Sequence, residues 1–371
     1  MAKTGTGLAG VVAGQTSICA VEDDGAGLAY RGYAITDLVE HASFEEVAYL
    51  LVRGQLPTQA ELDAYRKKLK PLRQLPPALK ATLELIPRHA HPMDVMRTGC
   101  SLLGNLEPEV TFNSPLDVAD RLIGALPSIV LYWHRFHRDR VRINTDTRVD
   151  STAAHFLSLL HDEAPSESHV KALDTTLMLY AEHEFNASTF TARVIAATLS
   201  DFHSAVTGAI GALRGSLHGG ANEAAMDLIR RFSTPADAET QVRRMLADKK
   251  LIMGFGHRVY TTSDPRNAIN KRMAQGLAEE TGDTVIYPVS EAIERVMWEE
   301  KKLFANADFY SAGVYHFLGV PTPLFTPLFV CSRISGWSAH ILEQRANNRL
   351  IRPNAEYIGP PARPWIPIDT R

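Results

Sequence analysis

Helical periodicity runs through most of this 371-residue chain, and strand signals hardly interrupt it. Apolar residues recur every three or four positions in "DVMRTGCSLLGNL", "DVADRLIGALPSIVLYWHRFHR" and "STAAHFLSLL". The same spacing returns in "TARVIAATLSDFHSAVTGAIGAL", "ANEAAMDLIRRF", "AETQVRRMLADKK", around Glu291 to Glu300, and in "RISGWSAHILEQRANN". The lack of a repeating alternation of strand and helix argues against a parallel α/β sheet, and an all-α fold is expected. Local start and stop signals agree. In "ASFEEVAYLLVRGQLPTQAEL", Ser43 precedes Glu46 and Thr58 precedes Glu61 at capping-box spacing, and Gly54 and Pro57 mark the break between two helices. The stretch "GLAYRGYAI" alternates weakly and predicts a small hairpin. The polar stretches 141–150 and 161–169 read as linkers, and no repeat of fixed period is present.

Length and composition set the class. At about 150 residues per domain the chain has room for two or three domains. Hydrophobic residues make up 45% and charged residues 22%, as in a soluble globular protein. The formal net charge of −3 gives no strong field toward nucleic acid or an anionic membrane, and neither is expected as a partner. Cys19, Cys100 and Cys331 are odd in number and far apart, which argues against a disulfide framework or a cysteine zinc site and fits a reducing compartment. The start, "MAKTGTGLAGVVAGQTS", has neither the apolar core of a signal peptide nor the arginine-rich pattern of a transit peptide. No apolar run reaches the roughly 18 residues needed to span a bilayer. A cytoplasmic enzyme or binding protein is the expectation.

Several short stretches could carry chemistry, and each has a plain structural alternative. In "RGSLHGGANEAAMDLI", His218 lies between two helices and just before the second, where the positive end of the dipole disfavours protonation. Alternatively, Gly219 and Gly220 only make a tight turn. In "GFGHRVYTTSDPR", His257 follows a Gly-Phe-Gly turn and Arg266 follows Asp-Pro. The first two glycines of a dinucleotide fingerprint are present, but Val259 replaces the third and no clear strand precedes, so that reading is rejected. Asp308, in "FANADFYSAGVYHFLG", is either a general base or a helix N-cap. His183 sits between Glu182 and Glu184, yet H-E-x-x-H is absent because position 187 is Ala. The close pairs His134/His137 and His89/His91 read as solvated helix ends. Arg266, Arg333 and Arg352 each read singly as surface residues. An arginine among apolar neighbours, as in "PLFVCSRISGW", requires an anionic partner, and a carboxylate suits its fork.

Taken together, "HEFNASTFTARV", "SLHGGANEA", "GFGHRVY…DPR", "NADFYSAGVYH" and "RISGW…LIRPNAEY" resemble the citrate synthase family, in order and over essentially the whole chain. "YRGYAITDL", "HPMDVMRTGCSLLGNLEPE", "VMWEEKKLF" and "GVPTPLFTPLFV" resemble its 2-methylcitrate synthase branch. The resemblance implies an almost wholly helical homodimer. It implies a large domain (1–219 and 326–371, the latter including the C-terminal tail) and a smaller inserted domain (220–325), with the active site in the cleft between them. It implies condensation of propionyl-CoA with oxaloacetate, then hydrolysis to 2-methylcitrate and CoA, with some use of acetyl-CoA and a place in propionate breakdown. No metal or redox cofactor is implied. By the same resemblance Asp308 is the base, His218 donates to the thioester oxygen and His257 to the ketone of oxaloacetate. His183, Arg266, Arg333 and, from the partner subunit, Arg352 bind oxaloacetate. Ile252, Met253, Gly254, Phe255 and Gly256 form the CoA-contacting loop. The alternatives are a citrate synthase preferring acetyl-CoA, a non-catalytic dicarboxylate or acyl-CoA sensor, and a metal hydrolase built around His183.

Overall fold

The computed structural model describes residues 7, 8, 10–22 and 27–371. The chain is mostly helical, as expected. Its described strands form one small antiparallel sheet of β1 (Cys19–Val21), β2 (Leu28–Tyr30) and β3 (Tyr33–Ala34). The hairpin read from "GLAYRGYAI" is β2–β3. Arg31 and Gly32 both have positive φ, the conformation a two-residue turn of this kind requires. Tyr30 points inward from it and is fully buried.

The first helices are α1 (Ile35–His41), α2 (Phe44–Arg53), α3 (Gln59–Leu69), α4 (Pro77–Leu85) and α5 (Pro92–Leu106). Both capping boxes form, and Gly54 ends α2 in the left-handed conformation at φ 87°. Next come α6 (Pro115–Asp139), α7 (Thr152–His161) and α8 (Glu167–Tyr180), then α9 (Ala187–Ala197) and α10 (Phe202–Leu213). The stretch 191–213 has one continuous helical spacing but folds as two helices. Leu199 takes a left-handed conformation, and the Asp201 carboxylate accepts from Ser204 N at 2.9 Å, starting α10 afresh.

The polar stretch 141–150 is not a linker between domains. Arg73, almost fully buried, donates to Val149 O (2.6 Å) and Asp150 O (2.9 Å), and His155 bridges Thr147 and Ser128. The stretch 161–169 is likewise a short connection: α7 runs to His161, and Ser166 already caps α8.

The remaining helices are α11 (Ala221–Ile229), α12 (Pro235–Ala247), α13 (Pro265–Thr281), α14 (Ile286–Lys301), α15 (Ala307–Phe317) and α16 (Phe325–Ala346). Helices α11 to α15 pack chiefly on one another, with α11 also against α16, and α13 and α15 against α8. Every residue of α16 from Phe325 to Ile341 is buried. A helix apolar all round has no solvent face, so its few polar side chains must find partners inside the protein. Arg333 and His340 are two of them.

A buried acid pair gives the fold a pH dependence. Glu45 Oε1 accepts from Thr152 N (2.7 Å) and Asp174 Oδ2 from Phe44 N (3.1 Å), so each carboxyl holds a helix start. Their other oxygens are buried without partners among the described residues. Burial, and then the charge of Glu45, push the Asp174 pKa well above the ordinary carboxylate range. The folded chain therefore keeps a proton that the unfolded chain releases, and stability falls as pH rises from that range toward the folded value. Asp174→Asn keeps the shape and removes the titration. Its thermal midpoint should exceed the parent's by about 2 °C at pH near 8 and match it near pH 4. Differential scanning calorimetry across pH checks this; parallel curves would refute it.

Candidate functional site

The site begins where α8 ends. Glu184 has a left-handed backbone at φ 54°, which turns the chain sharply after His183. Asn186 then caps α9, accepting from Thr189 N, while its amide donates to His183 O (3.2 Å) and Glu184 O (3.3 Å). His183 is thereby held almost fully buried, with Nε2 3.1 Å from the Tyr260 hydroxyl and its ring edge-on to His257 at 5.1 Å between centroids. Burial, and then the charge of Arg266, hold His183 well below the usual histidine range.

The loop before α13 is stitched to the segment before α15. Gly254 O accepts from Asn306 N (2.9 Å), Gly256 N donates to Phe304 O (2.8 Å), and the Asn306 amide donates to Gly256 O (2.9 Å). Gly254 (φ 89°) and Gly256 (φ 70°) are both left-handed, and a Cβ on Gly254 would stand 3.0 Å from Phe309. Only glycine takes this path comfortably. Ile252 and Gly254 are buried, whereas Met253, Phe255 and Gly256 are half-buried. This stitching places His257 and Asp308 on adjoining segments. His257 Nδ1 accepts from Val259 N (3.0 Å) and Tyr260 N (3.2 Å), so the ring proton of the neutral imidazole is on Nε2. Burial, and then Arg266, lower the His257 pKa to about 4, so the ring is neutral at physiological pH.

His218 is neutral by the same physics and exposes the opposite nitrogen. Its Nε2 accepts from Ser188 N (3.2 Å) and lies 2.8 Å from Ser188 Oγ, which the Trp337 indole also reaches at 3.2 Å. The ring proton is therefore on Nδ1. Burial, and then Arg333, lower its pKa to about 4. The glycine after it is required by contact. A Cβ on Gly219 would meet Leu213 O at 2.3 Å, while Gly219 N donates to that same oxygen at 3.0 Å.

Asp308 is not the N-cap of α15. Asn306 is, accepting from Asp308 N at 3.0 Å. Freed from that role, the Asp308 carboxylate accepts from the Tyr180 hydroxyl (2.7 Å), which also lies 2.8 Å from Ser311 Oγ. Burial raises the Asp308 pKa, opposed by the Tyr180 hydrogen bond and by Arg266. A carboxylate costly to keep ionised has a stronger appetite for a proton than one in water.

Arg266 and Arg333 are both buried and are not surface residues. Arg266 already has a partner that the sequence reading did not assign. Asp264 takes two of its guanidinium hydrogen bonds (2.9 and 2.8 Å) and accepts from Ala307 N (3.0 Å), tying Arg266 to the start of α15. Burial opposes the Arg266 charge, but Asp264 outweighs it and raises the pKa. Arg333 lies against the ring of Phe329 and donates Nε to Tyr180 O at 2.7 Å. Among the described residues no carboxylate forms an ion pair with it, and burial pushes its pKa down. Arg352 stands apart. It is exposed, with Nη1 3.1 Å from Asn354 Oδ1, and joins none of these contacts within its own chain.

His183 and His257 thus touch, the 254–256 segment is stitched to Asn306 just before Asp308, and the charges of Arg266 or Arg333 act on His183, His218, His257 and Asp308, while Arg352 stands outside. Asp264 and Asn306 were legible as residues two before a helix position with a free N–H, in "DPR" and "NAD". Tyr180, Ser188 and Tyr260 carry no such signal. Two neutral imidazoles with defined donors, a carboxylate of raised pKa and two buried arginines suit carbanion chemistry next to a carbonyl on a multiply charged anion. Among the described residues no group of three His, Cys, Asp or Glu side chains is arranged to hold a metal ion, and Cys19, Cys100 and Cys331 are buried free thiols. No helix among them is long and apolar enough to cross a membrane.

The chain belongs to the citrate synthase family: the family model described as "Citrate synthase, C-terminal domain" matches residues 7–354. It is 60% identical over 99% of its length to a 2-methylcitrate synthase of Shewanella oneidensis, covering 98% of that protein. It is 41% identical to a citrate/2-methylcitrate synthase of Bacillus subtilis, with 95% of this chain and 96% of that one covered. Its fold superposes at a TM-score of 0.92, with 32% identity and 98% of each chain covered, on a citrate synthase of Thermoplasma acidophilum. That enzyme was solved as a ternary complex with carboxymethyl coenzyme A and oxaloacetate.

Proposed function

We propose that this enzyme condenses propionyl-CoA with oxaloacetate and hydrolyses the product thioester, giving 2-methylcitrate and CoA, and that it also turns over acetyl-CoA. What supports the chemistry is a buried Asp308 carboxylate of raised pKa together with two neutral imidazoles, His218 and His257, whose N–H donors are fixed by the hydrogen bonds to their other nitrogens. Asp308 takes a proton from the carbon next to the thioester carbonyl while His218 Nδ1–H stabilises the oxygen of the forming enolate. That carbon attacks the ketone of oxaloacetate, to which His257 Nε2–H donates, and the new alkoxide takes a proton there. Water then cleaves the thioester and CoA leaves as the thiol. His183, Arg266 and Arg333 hold the oxaloacetate carboxylates, and residues 252–256 meet CoA through their backbone. No metal or redox cofactor enters this reaction.

The same reading divides the chain into a large body (1–219 and 326–371) and a small one (220–325). His257, Arg266 and Asp308 ride on the small body, facing His183 and Arg333 on the large one, so closure completes the site. Arg352 comes from a second subunit. Its exposure, and that of Tyr357, Ile358, Trp365 and Ile368 beyond it, fits a C-terminal segment that a partner covers. Mixing Arg352→Ala with Asp308→Asn protein should then restore part of the activity through mixed dimers, since one of the two sites is intact. No recovery after proven subunit exchange would exclude sharing.

The deciding assay is CoA thiol release with oxaloacetate, comparing kcat/KM for the two acyl-CoA substrates without added metal. A hydrophobic pocket separates substrates differing by one methylene by only about 1–3 kcal/mol, so both should react, with propionyl-CoA preferred. Preference for acetyl-CoA would make the enzyme a citrate synthase, and no release with either would favour a sensor. Tyr180→Phe tests the base. Losing the hydroxyl raises the Asp308 pKa further, so the acid limb of kcat/KM should move to higher pH with oxaloacetate affinity unchanged. An unmoved limb would refute that coupling.

A further inference from the structure

From Arg333 a buried polar chain runs on behind the site through residues that the reaction above does not use. On α16, Arg333, Gly336 and His340 follow one another at helical spacing and face the turn after α8. Gly336 is where the two elements touch: a Cβ there would stand 2.2 Å from Glu182 Oε2 and 2.3 Å from Ala181 O. Glu182 and His340 are both fully buried, and His340 Nε2 lies 2.9 Å from Glu182 Oε1. Arg193 donates to His340 Nδ1 at 2.9 Å, so the ring proton is on Nε2 and is given to Glu182. Arg193 is in turn paired with Glu343 (2.7 Å), which accepts from Ser17 N (2.8 Å). The Tyr30 hydroxyl fixes the backbone of the turn, lying 3.0 Å from Glu182 O.

Among the described residues, two of the three buried arginines around this cluster sit in a direct ion pair and one does not. Arg193 has Glu343 and Arg266 has Asp264, in direct ion pairs. Arg333 has none, and Glu182 has one oxygen buried without a hydrogen-bond partner one helical turn along the same face. The attraction between them is the largest influence favouring the Arg333 charge. We propose that Glu182, held in place by His340 and Arg193, is the resident counter-ion of Arg333, and that a carboxylate of oxaloacetate competes with it. Building on the dicarboxylate site proposed above, this makes Glu182 a positioning residue that limits substrate affinity. Without it, substrate and tricarboxylate product would be held more tightly. The countercharge also keeps a buried arginine tolerable while the site is empty.

Glu182→Gln tests this, because the amide oxygen still accepts from His340 while the charge is gone. A role in shape alone would leave oxaloacetate binding unchanged or weaker. The counter-ion role requires the reverse. Oxaloacetate Kd by calorimetry should fall about tenfold, with product inhibition tightening to match and the KM for acyl-CoA staying within about twofold. The variant's thermal midpoint should drop without ligand and recover with saturating oxaloacetate, which supplies the missing negative charge. Glu182→Asp, which keeps the charge, should restore the parent's affinity. Equal or weaker oxaloacetate binding by Glu182→Gln overturns the proposal, as does a variant that stays unfolded in saturating oxaloacetate. Failure of the parent enzyme itself to bind oxaloacetate would instead refute the dicarboxylate site.

Discussion

Asp308→Asn is expected to lower kcat by about 10³–10⁴-fold while leaving oxaloacetate Kd within about twofold. Both parts follow from position. The carboxylate is raised in pKa by burial and contacts Tyr180, not either arginine, so it is placed to take a proton and not to hold a dianion. Asparagine keeps the size and still accepts from Tyr180, but it has no basic oxygen. Its backbone N–H still meets the Asn306 cap, so α15 should begin as before. Steady-state CoA release together with oxaloacetate calorimetry separates the two parts. Undiminished turnover would remove Asp308 as the base, and a large loss of oxaloacetate affinity would mean the carboxylate organises the anion site.

Arg333→Lys should raise the oxaloacetate Kd by about 10²-fold, since a bidentate charge-assisted contact is worth roughly 3 kcal/mol. Lysine keeps the charge that Glu182 faces, so the fold has no buried unpaired carboxylate to answer for. What it loses is the planar fork and the Nε hydrogen bond to Tyr180 O. The side chain is almost wholly enclosed, against Phe329 of α16 and the backbone at the end of α8. The KM for acyl-CoA should not move. An oxaloacetate Kd within about threefold of the parent's would assign the anion mainly to Arg266 and His183.

The two arginines differ in a way no local sequence feature announces. Arg266 reads as a loop arginine behind Asp-Pro, and that same aspartate becomes its bidentate partner. Arg333 reads as an arginine stranded among apolar residues and is just that, on a helix buried along its length. Its need for an anion was legible; its resident countercharge was not, because Glu182 is 151 positions away and reaches it only through the packing of α16 on α8. The 141–150 and 161–169 stretches mislead in the opposite sense. Polar composition suggests solvent-bridging linkers, but the buried Arg73 draws the backbone of the first onto the core, and Ser166 turns the second into a helix start.

The sequence by itself determined the helical class, the capped starts of α2 and α3, and the glycine turns flanking His257 and His218. These depend on spacing along the chain and on the backbone freedom of particular residue types, which are local properties. Only the tertiary structure decided the protonation states. His218 presents Nδ1–H because Ser188, thirty residues earlier, donates to its other nitrogen, whereas His257 presents Nε2–H because its own loop folds back on Nδ1. The Asp308 carboxylate is left free because Asn306 took the cap, and burial raised its pKa. Tautomer and pKa are sums over everything packed around a group, and that sum does not exist until the chain has folded.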